Sequence, residues 1–297
     1  MTVTFYFTRH GETQFNVENR VQGWCDSPLT SKGVYDAYRL GQGLVSLDFI
    51  GACTSDAGRA QETLSLALEA RENERVRRGL VVPQRPVRVE YWPGQAEAWR
   101  PSAPDFKRDG YPALPLDAPE AEPSAEPSVP VRCDERLREW CFGDLEGESA
   151  RRLRNRMFDL FGDDSPREEQ NERLNEIADH VHATDSSGRA EPFAAIEERI
   201  ESFLRDCGES VEQRGGGNVL VVTHALFIRT LVFMYARERV STPPKIQNAS
   251  LTILTWDDGV ISVETVGDTA HLECAPFGEG RPQGPQAAPE AGEEVAV

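Results

Sequence analysis

Phe5-Tyr6-Phe7-Thr8-Arg9-His10-Gly11-Glu12 carries an apolar run, then an arginine and a histidine, then helix-forming sequence. Val219-Leu220-Val221-Val222-Thr223-His224-Ala225 repeats the arrangement far along the chain. The almost unbroken apolar character of 219–223 suits a strand buried on both faces of a parallel sheet. Residues 3–8 alternate, with Val3, Phe5 and Phe7 on one face and Thr4 and Tyr6 on the other. If the two runs are parallel neighbours, both imidazoles leave the same carboxyl edge. Open α/β sheets bind ligands at that edge. Two histidines converging there beside an arginine point to chemistry on an anion.

Outward from these two units, strand and helix signals alternate. Thr30 caps a helix in which Val34, Ala37, Leu40, Gly41 and Leu44 recur at helical spacing. Residues 49–54 read as a short buried strand, and Ser55-Asp56 as the start of a helix running to about residue 70. Residues 150–181 are helical and highly charged, and 193–213 and 225–236 are further helices. Residues 250–256 and 260–266, joined by Asp257-Asp258-Gly259, form a terminal hairpin. The expected fold is α/β: a three-layer α/β/α sandwich with a mainly parallel central sheet and a small helical cap at about 148–192. One domain is expected over residues 1–274. A Pro/Ala/Glu-rich insertion at about 100–130 interrupts it, because such composition buries too little apolar surface to offset its ordering entropy. Residues 275–297 are expected to form a disordered tail.

The whole chain of 297 residues carries a formal net charge of -18. That field repels nucleic acid and acidic membrane surfaces, so neither is expected as a partner. A small phosphorylated substrate would need a locally basic pocket. The six cysteines form no C-x-x-C pair and suggest neither a zinc site nor a disulfide framework. No basic-then-apolar leader opens the sequence, and no stretch approaches the roughly 18 apolar residues of a membrane span. A reducing cytoplasm is the expected compartment.

Four segments in order resemble the histidine phosphatase superfamily, the phosphoglycerate mutase-like family. They are Arg9-His10-Gly11-Glu12-Thr13 with Asn16, Arg20, Gln22-Gly23, Asp26, Pro28-Leu29-Thr30 and Gly33; Ser55-Asp56 with Arg59-Ala60 and Thr63; Leu137-Arg138-Glu139 with Phe142-Gly143 and Glu146-Gly147; and Val222-Thr223-His224, echoed by Asn248 and Ser250. The resemblance spans nearly the whole chain apart from the insertion and the tail. It implies a phosphohistidine intermediate at His10 and a phosphatase or mutase activity.

The residues make chemical sense beside that resemblance. A neutral imidazole at His10 is a nucleophile that divides one displacement into two easier ones. Arg9 and Arg59 offer permanent charge and planar donors to phosphate oxygens, where transition-state charge spreads. His224 donates to the same group, and the first helix amides near Ala225 add an anion-binding terminus. Close imidazoles cannot both be protonated easily, which predicts coupled titration and a pH–rate limb in the histidine range. The leaving oxygen needs a proton. Spacing alone does not choose among Glu135, Glu139, Glu146 and Glu148, and the Leu137-Arg138-Glu139 match selects Glu139 as the general acid. Asn16 and Gln22-Gly23 are expected to donate to the phosphate or leaving group, and Arg20 either to touch phosphate or to brace its loop. Gly11, Gly23 and Gly143 are expected to let backbone approach the ligand. Trp24, Trp140 and Phe142 either wall the pocket or pack in the core. No metal and no cofactor is expected, since arginines and a histidine supply the positive charge.

Three functions follow. The first is a metal-independent phosphomonoester hydrolase acting on a small phosphorylated metabolite. The second is a cofactor-dependent phosphoglycerate mutase; mutases of the family tend to follow the catalytic Glu with Arg-His-Tyr-Gly, whereas Trp140-Cys141-Phe142-Gly143 stand here. The third is a catalytically silent module binding phospho-ligands or proteins. Arg151, Arg152, Arg154 and Arg156 either recognise a second acidic group or form a solvated helix face.

Overall fold

The computed structural model describes residues 1–80, 129–162 and 165–273. Nearly all of the Pro/Ala/Glu-rich insertion, and the whole tail, lie outside the described residues. Along the chain run β1 (Val3–Arg9), α1 (Gln14–Val17), α2 (Ser31–Gly43), β2 (Phe49–Thr54), α3 (Gly58–Arg77), β3 (Val131–Cys133), α4 (Ala150–Phe161), α5 (Arg167–Glu172), α6 (Leu174–Thr184), α7 (Phe193–Glu212), β4 (Gly217–Thr223), α8 (Ala225–Tyr235), β5 (Leu251–Asp257), β6 (Val260–Asp268) and α9 (Ala270–Glu273). The sheet order is β3-β2-β4-β1-β5-β6. The first four strands are parallel, and β5 and β6 close one edge antiparallel. The expected α/β sheet, mainly parallel, is therefore present.

Side-chain alternation builds a core on each face of the sheet. Val3, Phe5 and Phe7 of β1 and Val219 and Val221 of β4 pack with Phe203 of α7 and Phe227 of α8. Leu220 and Val222 point the other way and pack with Leu40 of α2 and Leu64 and Leu68 of α3. Each such side chain, fully buried, contributes about 1.5–3 kcal/mol relative to exposure, so a one-residue register slip would turn both cores outward. That constraint fixes the pairing of Arg9 with Thr223, and the His10 amide extends the ladder by donating to the Thr223 carbonyl at 2.9 Å. His10 and His224 thus leave adjacent strands at matched positions.

Several helix limits differ from the sequence expectation, each for a local reason. Thr30 caps α2 as expected, its side chain accepting from the Gly33 amide. The cap position of α3 is Ala57 rather than Ser55 or Asp56, whose side chains are used elsewhere. α3 also continues past residue 70 to Arg77, and Arg71 and Arg75 from that extra length donate to carbonyls at Leu44 and Val45. The charged 150–181 stretch is not one helix: Gly162, at φ 71, ends α4, and Pro166 stands at the cap of α5. Leu153 of α4 and Leu174, Ile177 and Val181 of α6 join the same core as Trp140, Phe142 and Phe193.

Candidate active site

The two imidazole centroids lie 5.3 Å apart, with ring planes at 60°. His10 Nδ1 is 2.8 Å from the carbonyl oxygen of Gly11. A carbonyl only accepts, so Nδ1 carries the proton and Nε2 keeps the lone pair. His10 Nε2 has no hydrogen-bond partner among the described residues. His224 differs at both nitrogens. Arg59 Nη2 lies 3.1 Å from its Nδ1, and a guanidinium only donates, so Nδ1 accepts. Its Nε2–H therefore donates to Ser55 Oγ at 2.9 Å. Burial, then the charges of Arg59 and Arg9, push His10 well below the usual histidine range. Burial, Arg59 and His10 do the same to His224. The resting rings are neutral, and their titration falls below the histidine range that the sequence suggested, because both are buried and two fixed cations share their pocket.

Arg59, from the first turn of α3, is buried and crosses the site. Its Nη1 donates to the Cys25 carbonyl at 2.9 Å and Asp26 Oδ1 at 2.8 Å, and its Nη2 also reaches the Gly23 carbonyl at 2.7 Å. The 23–25 loop that receives it hangs on Glu146. That carboxylate accepts the amides of Gly23, Trp24, Cys25 and Phe142 at 2.9–3.1 Å. Glu146 is thus an organising residue, not a bystander; its place in the motif was visible, but its role needed the loop's geometry. Arg9 is buried, donates to the Ile246 carbonyl at 2.8 Å, and is pulled down to about 10 by burial.

Glu139 is buried beside these groups. Its Oε1 accepts from the amides of Trp140 and Phe227 and its Oε2 from Leu226, all at 3.0–3.1 Å. Burial raises its pKa, opposed by those amides and by Arg59. The helix terminus expected to bind an outside anion is therefore largely taken: the Leu226 and Phe227 amides hold Glu139, and of the three only the Ala225 amide has no partner among the described residues. Arg199 of α7, which the sequence did not single out, donates to the carbonyls of Arg136, Arg138 and Glu139 and so fixes the backbone that presents the carboxyl.

The remaining expected residues divide. Asn16 lies at the site's edge: its Oδ1 accepts from the Thr13 amide and from Asn248, whose Nδ2 also donates to the His10 carbonyl at 2.9 Å. Gln22 spends both ends of its amide inside the loop, on Thr13 and Ser27. Arg20 is not brought to the histidines. It donates to the Gly147 carbonyl at 2.7 Å and stacks over Phe15, the brace among its two sequence readings. Gly11 and Gly23 are needed for backbone contacts inside the protein: a Cβ would sit 2.5 Å from the Gly33 carbonyl oxygen and 2.2 Å from that of Trp140. Trp140 and Phe142 are core residues, whereas Trp24 is 47% exposed at the rim. Arg151, Arg152 and Arg154 form a solvated face, and Arg156 pairs with Asp144 at 2.6 Å. Among the described residues no group of three or more His, Cys, Asp or Glu is arranged to hold a metal, and no helix is long and apolar enough to cross a membrane.

Fold and geometry define an α/β protein that gathers two histidines, two arginines and a glutamate at the carboxyl edge of its sheet. Comparison with known proteins narrows this. The profile of the histidine phosphatase superfamily (branch 1) matches residues 5–79 and 120–269, and the chain belongs to that superfamily. The crystal structure of a phosphoglycerate mutase from Bacillus anthracis str. Sterne is similar at 31% identity and TM-score 0.68, covering 91% of this chain and 95% of that one. YhfR of Bacillus stearothermophilus is similar at 28% identity and TM-score 0.58, covering 91% and 100%. The probable phosphoglycerate mutase GpmB of Salmonella choleraesuis is 45% identical over 65 residues, which are 22% of this chain and 30% of that relative's length. The match to this curated relative therefore spans under a third of it.

Proposed function

We propose that this chain is a phosphomonoester hydrolase that acts on a small phosphorylated metabolite through a phosphohistidine at His10. The observation that supports it most is the His10 ring: Gly11 holds the proton on Nδ1, and Nε2 has no partner among the described residues. Burial beside two arginines keeps that lone pair available at neutral pH.

In the first step His10 Nε2 bonds to phosphorus as the P–O bond to the leaving group breaks. Nδ1–H stays on the Gly11 carbonyl and stabilises the phosphorylated ring. The leaving oxygen takes a proton from Glu139. Oε2 carries only one backbone bond, against two at Oε1, so it has room for that proton. In the second step the Glu139 carboxylate accepts a proton from water, water oxygen bonds to phosphorus, and the N–P bond breaks. Arg9, Arg59 and the Ala225 amide stabilise the equatorial oxygens, with Asn16 at the leaving-group side, and His224, its one proton spent on Ser55, holds the Arg59 guanidinium in place through Nδ1. Gln22, Gly23 and Arg20 serve the same site by holding its loop.

The test is a panel of labelled phosphomonoesters. Phosphate release with acid-labile label on His10 is expected, and both should vanish in His10→Ala. Release that survives this substitution would sink the reading. A second reading, a mutase returning the phosphoryl group to its substrate, draws on the name of the Bacillus anthracis relative. A coupled mutase assay run beside phosphate release separates the two. Absence of both label and turnover would favour the silent binding module.

A further inference from the structure

Behind the arginine that ends β1 lies a second basic chamber. Arg9, Arg167, Asn171, Arg229 and Lys245 line a cavity of about 30 Å³ against the first turn of α8. None of the described residues lining it is acidic. Arg9 and Arg229 are 4% and 2% exposed. Arg229 donates through Nη1 to the Val240 carbonyl, but its Nη2 is buried without a partner among the described residues, and so is Nε of Arg9. Buried guanidinium donors are ordinarily paired, so two orphans on residues that line one cavity ask for an acceptor. Burial pulls Arg9 and Arg229 each down to about 10, with the charges of Arg59 and Arg167 adding to it at Arg9 and that of Arg167 at Arg229. A negative group between them would relieve that repulsion. Asn171 donates to the Pro244 carbonyl at 3.0 Å and so ties α5 to the segment carrying Lys245. Arg167 and Lys245 thereby border the same cavity.

We propose that this cavity is an anion subsite that receives a second negatively charged group of the substrate while the phosphoryl group sits at His10. The inference rests on the proposed phosphohydrolase reading and narrows it to substrates with two anionic groups. The shared wall argues for one ligand filling both places: Arg9 adjoins His10 in the chain, and Ala225 adjoins His224. Carboxylate and phosphonate oxygens share the required chemistry, since both accept from a planar guanidinium fork.

Binding calorimetry on the full chain tests this without turnover. The probes are propylphosphonate, phosphonopropionate and propylenediphosphonate, which differ only in the far group. One of the two dianionic probes should bind about tenfold or more tighter than propylphosphonate, as a new charge-assisted hydrogen bond provides. Which of them does so identifies the anion. That advantage should collapse in Lys245→Met and in Arg167→Met, and persist in Arg151→Met on the solvated face of α4. Equal affinity for all three probes overturns the subsite; phosphate release and label on His10 would then still stand or fall by themselves. An advantage that neither cavity variant reduces also overturns it, because the second anion then binds elsewhere. Failure of every probe to bind removes the phosphate site and the subsite together.

Discussion

β1 and β4 deliver one histidine each at the same register, yet the two rings end in opposite chemical situations. His10 has one nitrogen fixed by its neighbour's carbonyl and the other open. His224 has both engaged, one by Arg59 and one by Ser55. Sheet pairing sets where a side chain emerges; the elements that meet it there set what it does. Gly11 turns its carbonyl back on His10, whereas α8 begins directly after His224 and leaves its ring to α3 and to the end of β2. On the proposed reading His10 is the nucleophile, and His224 is a ring fixed between Arg59 and Ser55.

Removing each ring tests that contrast. His10→Ala should lower kcat by roughly 10⁴-fold or more and abolish the labelled intermediate. Glu139→Gln should follow, at about 10²–10⁴-fold in kcat, with far less change in KM. Label should then accumulate with a substrate whose leaving group needs no proton. His224→Asn should cost less, about 10²-fold, and should retain label on His10. Single-turnover quench measurements give all three. If His224→Asn abolished the label as fully as His10→Ala does, the two rings would share one role and the contrast would be void.

Much of this site was readable before any coordinates, and the unreadable parts have a common cause. His10 and His224 were legible because strand periodicity places them, and sheet edges follow from register. Glu139 was legible only through a motif match, since its distinguishing feature is its contact with the first turn of α8, far along the chain. Arg59 was read as a ligand clamp, but its hydrogen bonds first join the 23–26 loop to His224. Ser55 looked like a helix cap because serine commonly is one; the cap fell at Ala57, and the hydroxyl went to His224. The role of Glu146, though the residue stood in a motif, and Arg199 altogether were not legible, because both act on backbone amides or carbonyls, which every residue has. The burial that moves both histidines below their ordinary range is likewise a sum over elements distant in sequence.

The smaller structural residue in the contrast is Ser55. It accepts the only proton that His224 carries, so Ser55→Ala leaves a buried Nε2–H without that acceptor. The expected loss is about 1–3 kcal/mol of stability and about tenfold in rate. Denaturant unfolding and steady-state kinetics read the two separately. Ser55→Thr keeps a hydroxyl at the position and should recover most of the rate, which a purely steric account of this residue would not predict.

The last and smallest effect concerns pH, where the two rings should behave alike despite their different roles. Both are held neutral in the folded protein well below the ordinary value of 6.5, and burial is the first cause in each. The unfolded chain takes up protons below that value while the folded one does not, so the stability the neutral rings supply is complete above it and is lost as pH falls. Each ring adds up to about 1.4 kcal/mol per pH unit to that slope. His10→Gln and His224→Gln should each flatten the loss between neutral and mildly acidic pH by a similar amount, measured by urea unfolding across the range. Glu139 works in the opposite sense: burial raises it, so its share is present below its unfolded value and is lost as pH rises. It therefore offsets part of the histidine slope, and Glu139→Gln should steepen the acid loss. Unequal flattening by the two histidine variants would mean that the partners of each ring, and not their common burial, set the proton affinity. The contrast in role would then extend to the resting protein.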